Sequence, residues 1–297
     1  MAISFGPSLA SMFSSITKGN SDAKASPSPA ATTEAKKADI ESQARGYEEI
    51  LKREPENQTA LRGLLESRLR LNDVKGVVEP LEKLSKLNPT MTEYSVLLAQ
   101  AKQQLGDREG SAQVYRTILQ SRPGDLSALT GLVDLLVKQQ RPESAIKLLQ
   151  DTLKQAPTAN KNQAGSVDTT AIQVLLGKVY ANQKRYDEAL TTFDEASKTN
   201  ANDFQPVLYK AMVLKEQGKA SEAKPLFEKA TSLAPAQYKD QIARMGSSES
   251  PAPNPASSAV PVPATQTPKN GAPSQSSSPK PETVPQPGNA PAAAPKN

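Results

Sequence analysis

The 297-residue chain contains no histidine, cysteine or tryptophan, which excludes imidazole bases, thiol nucleophiles, disulfides and ordinary zinc or haem sites. Thirty-six basic residues against 31 acidic ones give a net charge of +5, scattered rather than gathered into the basic face that phosphate backbones require, so no nucleic acid is expected as a partner. The apolar fraction of 36% is low for a globular chain, so part of the sequence is expected to pack no core.

Residues 1–38 read as a mostly disordered N-terminal segment. The opening MAISFGPSLASMFSSITKGN has no basic residue before Lys18 and lacks the charged start of a secretory signal. Leu9, Met12, Phe13 and Ile16 recur at spacings of three, one and three, predicting a short amphipathic helix over 8–18 whose stripe suits weak attachment to a membrane or a partner. No stretch reaches the roughly 18–20 apolar residues that span a bilayer. No strong membrane anchor is therefore expected, and the chain is assigned to the cytoplasm, at most peripheral to a membrane.

From residue 39 the chain becomes periodic. Pro55, Pro89, Pro123 and Pro157 fall 34 residues apart, and a second register follows at Ala201 and Pro235. IESQARGYEEILKREP at 40–55 reads as the second helix of a first unit with no clear first helix. Tyr47, Leu81, Tyr115, Leu149, Phe193 and Phe227 share one repeat position. Small residues often stand four earlier, at Val77, Ser111, Ala145, Ala189 and Ala223, and Ile50, Leu84, Ile118, Thr152, Ala196 and Ala230 stand three later. Those spacings put all of them on one helical face. In the preceding half of the units, Leu64-Leu65, Leu98-Ala99, Leu132-Val133 and Leu176-Gly177 mark a second buried stripe.

Each unit thus predicts helix, turn, helix, turn, with the proline ending the second helix. Pro80 and Pro225 fall early in second helices and predict a late start or a local bend. The step from Pro157 to Ala201 is 44 residues, and its extra length falls in the polar stretch APTANKNQAGSVDTT, expected as a loop insertion near 157–169. AQYKDQIARM after Pro235 predicts a final helix that covers the last apolar groove and closes the array at 246. Beyond it, 13 of the 25 prolines lie between Pro251 and Pro295. Residues 247–297 therefore read as a disordered Pro/Ala/Ser-rich tail, a spacer rather than a domain.

A 34-residue helical hairpin of this pattern resembles the tetratricopeptide repeat. LLGKVYANQKRYDEALTTFDEA at 175–196 carries the likeness most fully, with Gly177, Tyr180, Ala189, Phe193 and Ala196 at signature positions. The family's tryptophan is missing throughout. The resemblance implies an all-α fold, a right-handed superhelical solenoid of about six helical hairpins over 39–246. It also implies a non-enzymatic scaffold that holds a peptide or partner helix in the concave groove lined by the first helices. The groove positions of the family fall here on Arg62, Glu66, Val96, Gln100, Thr130, Asp134, Val174, Lys178, Leu208 and Met212, a mixed lining.

Chaperone-tail binding of the carboxylate-clamp kind is not expected, because no set of cations converges on these units and Glu66 and Asp134 would repel an acidic ligand. A closer resemblance, over roughly 45–243, is to the slow-green tetratricopeptide proteins of plastids. It is carried by Glu93-Tyr94, by Gly131-Leu132-Val133, by Asp203-Phe204-Gln205-Pro206 and by the placement of the long insertion. It implies support of photosynthetic-complex or thylakoid biogenesis through protein contacts. With no Arg-rich transit peptide in view, a cyanobacterial-type relative is the expectation. No cofactor, metal or catalytic residue is expected: no phosphate-binding glycine loop, oxyanion hole or nucleophile with a base is visible. The alternative is a membrane-associated assembly or targeting factor, attached through the N-terminal stripe or a partner.

Overall fold

The computed structural model describes residues 31–247, with side chains from residue 36. The expected helix over 8–18 and, from residue 248, the expected spacer tail lie outside the described residues. Within them are twelve α-helices and no strand: α1 (Ala31–Arg53), α2 (Gln58–Arg70), α3 (Val78–Leu87), α4 (Thr92–Gln104), α5 (Arg108–Ser121), α6 (Leu126–Lys138), α7 (Pro142–Asn162), α8 (Thr169–Asn182), α9 (Tyr186–Thr199), α10 (Phe204–Glu216), α11 (Ala220–Leu233) and α12 (Ala236–Gly246). The architecture is an α-solenoid in which each helix packs on its neighbours in sequence. The hairpins are α2/α3, α4/α5, α6/α7, α8/α9 and α10/α11, with α1 a second-type helix ahead of them and α12 behind.

The helix ends follow from local chemistry. Most first helices open on an acidic or amide side chain that accepts a backbone N–H of the first turn: Asn57 from Ala60, Asp125 from Ala128, Asp168 from Ala171 and Asp203 from Gln205. Each first helix then ends in a left-handed residue at one repeat position. Asn72, Gly106, Gln140, Lys184 and Gly218 have φ of 54°, 84°, 60°, 58° and 77°. The next N–H in each turn reaches back five residues to a carbonyl, as Asp73 does to Arg68 and Arg185 to Tyr180, which is the Schellman closure. The second helices α1, α3, α5 and α11 stop two residues before Pro55, Pro89, Pro123 and Pro235.

The core lies between units as much as within them. One cluster joins Leu61 and Leu65 of α2 and Leu81 and Leu84 of α3 to Tyr94, Leu97, Leu98 and Ala101 of α4. At the large repeat position Leu81, Tyr115, Leu149, Phe193 and Phe227 are 0–3% exposed, each contributing about 1.5–3 kcal/mol through burial. Phe193 shows how the space is filled. A Cβ on Gly177 of its own unit would stand 2.4 Å from its ring, and on the other side it stacks on Tyr209 of the next unit with centroids 5.9 Å apart. From the next unit, Gly131 makes room for Tyr115 and Gly63 for Tyr47.

Three features differ from expectation. Pro157 does not end its helix: α7 runs on to Asn162 and the loop is confined to 163–168. The missing N–H of Pro157 removes a single helical bond, and the extra turn is tied down beyond it. The Asn160 side chain accepts from the Val167 N–H at 2.8 Å and donates to the Val167 carbonyl at 2.8 Å, while Val167 itself is buried. Pro80 meets the expectation of a late start, in the opening turn of α3, whereas α11 starts on register and carries Pro225 inside it. Tyr47 is only half-buried and Ile50 is 41% exposed, because no first helix precedes α1 among the described residues.

Candidate partner-binding face

First helices touch not only their own second helices but one another: α4 packs on α6, α6 on α8 and α8 on α10. Eight of the ten expected groove residues lie on these four helices, Val96, Thr130, Val174 and Leu208 at one repeat position and, four residues on, Gln100, Asp134, Lys178 and Met212, while Arg62 and Glu66 hold the same positions on α2. The spacing of four puts each pair one turn apart on the same side of its helix.

Burial divides these ten residues. Val96, Val174 and Leu208 are 2%, 4% and 1% exposed, so they close the seam between first helices and offer little surface to a ligand. Arg62 and Glu66 are exposed, and Gln100, Thr130, Asp134 and Met212 are partly so. α2, which carries Arg62 and Glu66, packs on α1 and α3 and is not joined to α4 as extensively as α4 is to α6. The accessible part of the row is therefore mainly polar, with Met212 its one apolar member, while Lys178 at 9% exposed is buried along with Val96, Val174 and Leu208.

Charge is held locally. Asp134 accepts from Lys138 at 2.6 Å, one turn along α6. Burial of Tyr115, followed by the field of Asp134, holds its phenol above the ordinary range. Lys178 is 9% exposed, with Nζ 5.0 Å from the centroid of the Tyr209 ring. Its burial lowers the amine from its ordinary 10.5 to about 8. Tyr209 is raised to about 12, first by burial and then by Asp203. Lys215, further along α10, donates to the Met245 carbonyl at 2.6 Å and so ties α12 in place. Tyr209 was not visible as a member of this site in the sequence; its signal is its place 16 residues after Phe193. Among the described residues no group of three or more His, Cys, Asp or Glu is placed to hold a metal ion, and no helix is long and apolar enough to cross a membrane.

Family models described as tetratricopeptide repeat match residues 103–164, and again 171–203 and 210–237. Tetratricopeptide repeats are thus matched within residues 103–237 of the array. Among curated proteins, the chain is similar to "protein SLOW GREEN 1, chloroplastic" of Arabidopsis thaliana, 26% identical over 190 residues. That match covers 64% of this chain and 59% of the relative. It is also similar to the "Protein CTR9 homolog" of Arabidopsis thaliana, 29% identical over 136 residues. There the match covers 45% of this chain and 12% of the relative. The chain thus spans less than two thirds of either relative's length. Among solved structures, yeast Tom70 superposes with a TM-score of 0.50 at 16% identity, covering 68% of this chain and 42% of that one. That likeness concerns the tetratricopeptide fold.

Proposed function

We propose that the protein is a non-enzymatic scaffold that binds a peptide or partner helix across the first-helix face of its tetratricopeptide array. The supporting observation is the continuous seam of α4, α6, α8 and α10, along which Gln100, Thr130, Asp134 and Met212 remain partly open while the second helices stand outside it. Repeat arrays of this kind work as interaction surfaces because stacking generates a long face with variable side chains on an invariant frame. The face carries both signs of charge, with Arg62 exposed and Glu66 and Asp134 at the neighbouring positions, which favours a partner of mixed polarity over a uniformly acidic one. The likeness to the slow-green protein supports a finer reading, a role in photosynthetic-complex or thylakoid biogenesis.

Affinity capture with the full chain tests this. An Arg62→Glu, Glu66→Arg variant changes only exposed side chains of α2 and leaves the core intact. Loss of the captured partner with this variant, and its retention with a control change at exposed Thr117 on α5, is the expected result. Equal capture by both variants would overturn the use of α2 in binding. A captured set without photosynthetic or thylakoid proteins would overturn the finer reading.

A further inference from the structure

The first unit of the array is incomplete in a specific way. In a whole unit the large residue of the second helix is closed on two sides. Phe193 meets Gly177 of its own first helix and Tyr209 of the next. Tyr47 meets the next first helix at Gly63, and among the described residues no first helix precedes α1 to cover its other side. Its own-unit side is open: Gly46 has free space around it, and Ile50 is 41% exposed where Leu84, Ile118, Ala196 and Ala230 are 0–4% exposed. The 34-residue register would put the missing first helix at 24–36, but residues 31–36 already belong to α1, and Pro27 and Pro29 oppose a helix ahead of it. The covering element has to come from further upstream.

We propose that the segment 8–18 of the same chain docks on α1, placing Leu9, Met12, Phe13 and Ile16 against the open side of Tyr47 and Ile50 as a substitute first helix. This segment carries the main apolar stripe ahead of α1, at helical spacing. The connection reaches. Ile50 lies about 28 Å along α1 from Ala31 at 1.5 Å per residue, and the 14 residues 17–30 extend to about 46 Å. Tethering supplies an effective concentration in the millimolar range, which favours this segment over a second copy in dilute solution. Gln43 stands, exposed, where later units have a small buried residue such as Ala145 or Ala189. The segment therefore lies toward Ile50 and does not cross α1 as closely as the regular hairpins do.

The test replaces Ile50 by the photo-reactive p-benzoylphenylalanine in the full chain and irradiates a mixture of unlabelled and 15N-labelled protein. The expected product joins position 50 to a peptide spanning 9–16, within single-isotope molecules, and it is lost in a Leu9→Ser, Phe13→Ser variant. Mixed-isotope adducts would assign the face to a second copy and overturn the proposal. So would the absence of any adduct to 9–16, or its replacement by lipid adducts once phosphatidylglycerol vesicles are added.

Discussion

Individual residues already carry much of the account. Ser111 occupies the small position filled elsewhere by Ala145, Ala189 and Ala223. It is fully buried, and its hydroxyl has no hydrogen-bond partner. An unsatisfied buried hydroxyl costs about 1–3 kcal/mol, so Ser111→Ala is expected to raise the urea midpoint with an unchanged slope. A fall in the midpoint would mean the hydroxyl is satisfied after all. Lys178 gives a prediction with a sign. Below about pH 8 the amine is charged in both folded and unfolded chains, and the full cost of burying the charge is present. As pH rises from about 8 toward 10.5 the folded chain has released a proton that the unfolded chain still holds, so stability rises. Lys178→Met is therefore expected to stabilise the protein at pH 7 by roughly 2–3 kcal/mol, with the advantage shrinking toward pH 10.5. Denaturant titrations of both proteins across that range measure it, and a pH-independent difference would contradict burial as the cause.

At the scale of elements, the hairpin turns show what was legible in the sequence and what was hidden. The apolar ruler at Leu81, Tyr115, Leu149 and Phe193 announced helices and their buried faces because burial leaves a periodic trace. The left-handed row Asn72, Gly106, Gln140, Lys184 and Gly218 left only a partial one, since Gly106, Gly218 and Asn72 suit that backbone whereas at Gln140 and Lys184 it is imposed on the residue that stands there. Pro157 misled for a related reason: the bond it removes is outweighed by the Asn160 clamp on Val167, a contact seven residues away that periodicity does not report. The expected groove positions follow the repeat, but the closeness of α4, α6, α8 and α10 decides which are open to solvent, and it buries Val96, Val174 and Leu208. The turn row makes its own prediction. A non-glycine residue in the left-handed region is strained by about 1–2 kcal/mol, while glycine loses more entropy on folding. Lys184→Gly is expected to stabilise by up to about 1 kcal/mol, read as a rise in Tm. An unchanged or lower Tm would show that the Lys184 side chain earns its place by a contact.

For the molecule as a whole, the helical-hairpin array, α1 through α12, is a frame whose core is shared between neighbouring units, so the face made by the first helices is fixed in spacing while its side chains vary. The partner-binding proposal places its ligand on that face and leaves the second helices outside. Site-specific photo-crosslinking in cells tests this most directly, with p-benzoylphenylalanine at half-exposed Thr130 on α6 in one version of the full chain and at exposed Thr117 on α5 in another. The account predicts a discrete partner adduct from position 130 and none from position 117. An adduct from position 117 alone would contradict it.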